Sequence, residues 1–130
     1  MLMIGKVETL TGLPAKTIRY YEEIKLITPP TRSDNGYRYF SQTAIDQLLL
    51  IKGARDAGFS LAQCKELMML FNDKSRQSSE VKAITLEKIK QIKQKIKSLN
   101  QIVKSLELLS SQCHGNDSSD CAILDGLLKK

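Results

Sequence analysis

Apolar residues recur at helical spacing from the start of the chain, at Ile4, Val7, Leu10 and Leu13, with Gly12 breaking the pattern. Pro14 stands where a second helix can begin, because its missing N–H costs nothing in a first turn, and residues 15–24 continue as that helix. Residues 27–32 and 37–40 then flank Asn35-Gly36, the pair that most readily supplies the two positive φ angles of a type I′ turn, which predicts a small hairpin or wing. Ser41 is predicted to cap a helix carrying Ile45, Leu48, Leu49 and Ile51 that ends near Gly58. Ser60-Leu61-Ala62-Gln63 has the spacing of a capping box and opens a helix over residues 61–70, whose apolar face includes Cys64, Leu67, Met68 and Phe71.

Residues 72–77 are polar, and Ser78 or Ser79 is predicted to cap a long helix with Glu80 in its dipole-favoured first turn. No Pro or Gly interrupts it before Gln112, and Ile89, Ile92, Ile96, Leu99, Val103 and Leu106 form an a/d seam. Such a helix is about 50 Å long, too long to be covered by a core built from the residues before it. The seam is therefore expected to bury against a second copy of the chain. With Ile89 at a, Lys88 and Lys95 fall at g and Lys93 at e, so a parallel pair sets Lys against Lys. An antiparallel pair instead places residues 88–97 beside the partner's Asn100 and Glu107, and is the expected arrangement. Beyond Gln112, Cys113 and Cys121 bound a polar loop, and a short amphipathic helix capped by Asp120 or Ser119 follows over residues 122–128.

Composition narrows the class. The chain has 130 residues, 42% hydrophobic and 26% charged, with 3 Pro and 7 Gly, which excludes collagen, low-complexity disorder and a multidomain enzyme. Three Cys are too few for a secreted disulfide scaffold, and no apolar run or targeting signal is evident, so a cytoplasmic location with reduced thiols is expected and no membrane contact. A net charge of +6 suggests a polyanionic partner. Residues 81–112 nonetheless hold seven Lys against two acidic side chains, so most of the excess lies on the long helix. Placement has to carry the case for nucleic acid. One His, no phosphate-binding Gly loop and no nucleophile–base constellation argue against an enzyme.

In a helix-turn-helix the second helix enters the major groove, so its outer face needs donors. Lys16, Thr17, Arg19 and Tyr20 supply them, while Ile18 and Tyr21 point to the core; the wing adds Arg32, Asn35, Tyr37 and Arg38. Ile4-Gly5-Lys6-Val7, Thr11-Gly12-Leu13, Ile18-Arg19-Tyr20-Tyr21-Glu22 and residues 29–38 closely resemble the N-terminal winged-helix domain of MerR-type transcription regulators. The resemblance continues through Ala57-Gly58-Phe59-Ser60-Leu61, Leu70-Phe71-Asn72-Asp73, the long helix and the two-Cys loop, and within the family it is to the copper-responsive members. It implies a mainly α protein in three parts: a winged helix-turn-helix with a small β-hairpin wing over 1–72, a hinge and antiparallel coiled-coil dimerisation helix over 73–112, and a metal-binding loop with a short helix over 113–130. It further implies a homodimer on double-stranded promoter DNA that bends and untwists an overlong spacer for bacterial RNA polymerase. By position, Lys6, Lys16, Arg19, Tyr20, Arg32, Tyr37, Arg38 and Arg55 become the expected DNA contacts.

Two soft thiolates from one short loop suit a linear, two-coordinate monovalent ion: Cu(I), Ag(I) or Au(I). The spacing of Cys113 and Cys121 does not by itself separate a metal site from an incidental thiol pair; the resemblance favours the site. Cys121 is expected to open the terminal helix, where the helix N-terminus favours thiolate. In relatives that answer to divalent ions, the position before the long helix carries a Cys from the other subunit, and here it is Ser78, as in the copper-type sensors. Two thiolates and a +1 ion leave one negative charge, for which Lys82 and the terminal helix dipole are the expected compensation. His114 is read as a solvent-facing loop side chain, Cys64 as a core residue and Met68-Met69 as packing. The expected function is Cu(I)-responsive activation of copper efflux or detoxification genes. Competing readings are a MerR-type sensor of a divalent metal or of thiol oxidation, and a coiled-coil adaptor whose basic face binds acidic proteins. An iron–sulfur sensor would need four clustered Cys.

Overall fold

The structure, a computed structural model, describes residues 1–129 and divides after Val81 into two units, which are taken in turn. In the first, α1 (Ile4–Thr11) buries Val7 and Thr11 but leaves Leu10 exposed, contrary to the seam read from spacing. Eight residues make a narrow stripe, and Leu10 falls at its rim. Burial of Thr11 is satisfied locally: its hydroxyl donates to Val7 O (2.7 Å) and accepts from Leu13 N–H (3.2 Å). Gly12 closes α1 in the left-handed region (φ 72°), where its N–H reaches Glu8 O at 2.8 Å. Pro14 takes the cap position rather than the first turn, and α2 runs Ala15–Glu23.

Three short antiparallel strands follow the order β1-β3-β2: β1 Leu2–Met3, β2 Thr31–Arg32 and β3 Arg38–Phe40. Thr31 pairs with Tyr39 and Arg32 with Arg38, so the wing exists, but the first arm is shorter than residues 27–32. Leu26 and Ile27 serve the core instead, and the two prolines that follow lack ladder donors. The turn is not type I′. Gly36 has φ 83° while Asn35 keeps a negative φ; Gly36 N–H donates to Ser33 O (2.9 Å) and Ser33 N–H to Tyr37 O (3.0 Å). This is the three-residue loop that ends in a left-handed Gly, which uses the same Asn-Gly pair.

Helix α3 (Gln42–Asp56) starts at Ser41, whose hydroxyl accepts from Ala44 N–H at 3.1 Å. It buries Ala44, Ile45, Leu48, Ile51 and Ala54, with Leu49 turned to solvent. In α4 (Leu61–Asn72) both arms of the capping box form: Gln63 N–H donates to Ser60 Oγ (3.1 Å) and Ser60 N–H to Gln63 Oε1 (2.8 Å). Cys64 and Met68 are buried there, whereas Phe71 is exposed. Val7, Ile18, Tyr21, Phe40, Leu48, Ile51 and Met68 form one core, each large side chain stabilising the fold by roughly 1.5–3 kcal/mol. Gln47 is buried among them with both ends of its amide used: Oε1 accepts from Thr28 N–H (2.6 Å) and Nε2 donates to Asn72 Oδ1 (3.1 Å).

Helix α5 spans Ser78–Gln112. Its 35 residues correspond to about 53 Å. Ser78 is its first residue, so neither serine caps it as expected; Glu80 N–H donates to Gln77 O, one position earlier. From Lys82 onward, the second unit has a different character. Lys88, expected beside the seam at a g position, is the buried residue of α5, while the six seam residues are 37% (Ile92) to 59% (Leu99) exposed. The terminal helix α6 covers Ala122–Leu128 with Cys121 at its cap, rather than Asp120 or Ser119. Lys130, the last residue of the expected loop-and-helix segment, lies outside the described residues.

Candidate nucleic-acid interface and thiol site

The turn between α1 and α2 holds the second helix so that Ile18 and Tyr21 anchor it inward. Lys16, Arg19 and Tyr20 are exposed on its other side and Thr17 is half-buried. Lys6 is exposed on α1, and Arg32, Asn35 and Tyr37 are exposed on the wing. Arg19 of α2 and Tyr37 and Arg38 of the wing line one shallow cavity with Met3, Ile4 and Gly36, so helix and wing converge on a single surface. Sequence pattern could name both elements but not this convergence.

Arg38 is half-buried, and its Nε lies 3.3 Å from Glu22 Oε1 of α2. The two atoms are an ion pair without hydrogen-bond alignment. Glu22 had no role assigned from sequence. Its signal was a carboxylate on a helix otherwise suited to phosphates, which demands a cationic partner. Arg55 is exposed at the end of α3; its Nη1 donates to Phe59 O (3.0 Å), bracing the α3–α4 turn and leaving the other guanidinium donors available. Burial pushes the Tyr21 hydroxyl pKa up, with Arg55 partly opposing it. Gln47 is the second residue that pattern reading missed: it fixes the chain at Thr28, on the way into the wing.

In the second unit the Cys113 and Cys121 sulfurs lie 3.7 Å apart, both partly exposed. A linear bridge with metal–sulfur bonds of about 2.3 Å spans roughly 4.6 Å, so the thiols need to part by only about 1 Å to take an ion between them. The loop between them is held by local bonds, Ser118 N–H to Asn116 Oδ1 (3.0 Å) and Asp120 N–H to Ser118 Oγ (3.1 Å). Cys121 makes no side-chain cap hydrogen bond of full geometry, yet the Leu124 N–H, the Cys113 thiol and the Ile123 N–H favour its anion and hold its pKa below the ordinary thiol range. Burial pushes the Cys64 thiol the other way, in keeping with a core role. Among the described residues no group of three or more His, Cys, Asp or Glu side chains is placed to hold a metal. Ser78 and Lys82 are exposed on successive turns at the start of α5. Among the same residues, no helix is long and apolar enough to cross a membrane.

Residues 2–70 match the MerR HTH family regulatory protein family, and residues 45–109 match the family described as MerR, DNA binding. The chain is 47% identical over 124 residues to the HTH-type transcriptional regulator CueR of Salmonella typhimurium, covering 95% of this chain and 90% of that protein. It is 41% identical over 126 residues to the HTH-type transcriptional regulator HmrR of Sinorhizobium medicae, covering 97% and 86%. Among solved structures, the regulator PbrR691 from Ralstonia metallidurans CH34, in complex with lead(II), superposes with a TM-score of 0.85 at 28% identity, covering 98% of this chain and 99% of that one.

Proposed function

Because the chain belongs to the MerR family of helix-turn-helix regulators, we propose that it is a Cu(I)-responsive activator, answering also to Ag(I) or Au(I), that controls copper efflux or detoxification genes from the cytoplasm. Two copies pair through an antiparallel coiled coil along the 89–106 seam. The dimer sets two helix-and-wing surfaces on promoter DNA, with Lys6, Lys16, Thr17, Arg19, Tyr20, Arg32, Asn35, Tyr37, Arg38 and Arg55 as contacts. Metal binding favours a form that distorts the promoter spacer for RNA polymerase, and the added phosphate contacts offset a deformation of several kcal/mol.

The observation that carries this reading is the pair of thiols 3.7 Å apart, with no third donor grouped beside them among the described residues. A divalent ion would be under-coordinated there, whereas two thiolates satisfy a soft +1 ion. Ser78 at the start of α5 supports the same choice, since it cannot add the thiolate that divalent-ion sensors of this family carry there. Lys82 and the N–H groups opening α6 would balance the remaining negative charge. Metal-dependent transcription from the cognate promoter tests the proposal: Cu(I) and Ag(I) should activate, Zn(II) should not, and Cys113→Ser or Cys121→Ser should abolish the response. The short sulfur–sulfur distance also favours a second reading, oxidation sensing through a Cys113–Cys121 disulfide. Activation by peroxide in metal-free medium, with Cu(I) silent, would select it.

A further inference from the structure

Between the thiols, the bonds from Ser118 N–H to Asn116 Oδ1 and from Asp120 N–H to Ser118 Oγ join residues two apart. Where α6 approaches the end of α5, Gly126 lies close against Leu109. A Cβ built on Gly126 would collide with Leu109 Cδ2 and stand 3.1 Å from both Cδ1 and Cγ. Leu109 Cδ2 would have to move aside, by a turn of that side chain or by α6 lifting, and Cδ1 and Cγ would have to give by a few tenths of an ångström.

The spacing ties this contact to the thiols. Leu109 is in the last turn of α5, four residues before Cys113, which follows the helix directly. Gly126 is five residues after Cys121, connected through the first turn of α6, where Asp125 N–H donates to Cys121 O at 3.1 Å. Leu109 with Gly126 and Cys113 with Cys121 are thus two close approaches between the end of α5 and the segment that carries α6. Glycine inside a helix is less favourable than alanine, a poor choice for a seven-residue helix unless packing requires it.

We infer that Gly126 is a positioning residue for the thiol pair: its missing side chain lets α6 seat on Leu109, and that seat sets the Cys113–Cys121 distance. This rests on the proposed metal site for its biological use, though not for its test. The full-length chain is compared as wild type, Gly126→Ala, Leu109→Ala and the double variant in two assays. In one, diamide removes two electrons and two protons from the thiols, and the rate of intramolecular disulfide closure reports their effective concentration. In the other, Cu(I) is partitioned anaerobically against a competing chelator.

Gly126→Ala is expected to slow closure and weaken Cu(I) retention, each by about tenfold, as the effective concentration of one thiol at the other falls. In the Leu109→Ala background the same change should have almost no effect, because the atoms that it strikes are gone. Helix propensity alone predicts the opposite sign, since Ala favours α6. Unchanged closure and retention in Gly126→Ala overturn the inference, as does a loss of equal size in both backgrounds. If the wild type retains no Cu(I) while the closure assay behaves as expected, the metal reading fails and the positioning role stands.

Discussion

The two units solve the burial problem differently. Met1–Val81 closes its own core, with Phe40, Ile18 and Leu48 fully buried and the polar Gln47 and Thr11 given partners inside. From Lys82 onward the seam residues of α5 are exposed instead, and among the described residues only Lys88 is buried. The first unit resembles a finished domain and the second one half of an interface. Side-chain packing therefore governs the stability of the former, while association governs that of the latter.

The sharpest way to break this contrast is at the seam. Leu99→Lys places a charge in the proposed interface twice per dimer, and loses roughly 3 kcal/mol or more of apolar burial, about 100-fold in self-association. Sedimentation should find monomer, with the first unit still folded. In the first unit, Leu48→Ala should cost about 2–5 kcal/mol of unfolding free energy through the cavity that it leaves, read by denaturant titration, without changing the seam. Gln47→Ala should cost less, about 1–3 kcal/mol, because it strands the Thr28 N–H. Its distinguishing readout is looser hydrogen-exchange protection at the entry to the wing.

The smallest effect is expected at the turn after α4. Asp73 accepts from the Ser75 hydroxyl (2.7 Å) and N–H (2.9 Å), the hydroxyl contributing most to a pKa below the ordinary carboxylate value. A carboxylate with a depressed folded pKa contributes stability that is present above its ordinary pKa and is lost as pH falls through the folded one. Acid titration of the wild type against Ser75→Ala should show a slightly earlier loss in the variant. As Asp73 is exposed, the difference should be slight.

Local chemistry is legible in part, and non-local chemistry is not. The Ser60–Gln63 capping box and the Ser41 cap involve residues three apart, and both formed as read. The turn at Asn35-Gly36 was placed correctly but typed wrongly, because two hairpin geometries share the pair. Two residues, Leu2 and Met3, are too few to show a strand period, so β1 left no trace in the pattern. Glu22 with Arg38, and Gln47 with Thr28 and Asn72, join positions 16 to 25 residues apart, which periodicity cannot see. In the thiol loop the family resemblance, rather than the spacing of the cysteines, points to a site, and the contact of α6 with Leu109 is visible only in the packing.

The uncovered face of α5 has a consequence for the cell that owns the protein. If pairing completes the second unit, the amount of working regulator depends on chain abundance more steeply than in proportion, since two chains must meet to make one. Gene dosage and turnover would then set the sensitivity of the response as surely as the affinity of the thiols for their ion.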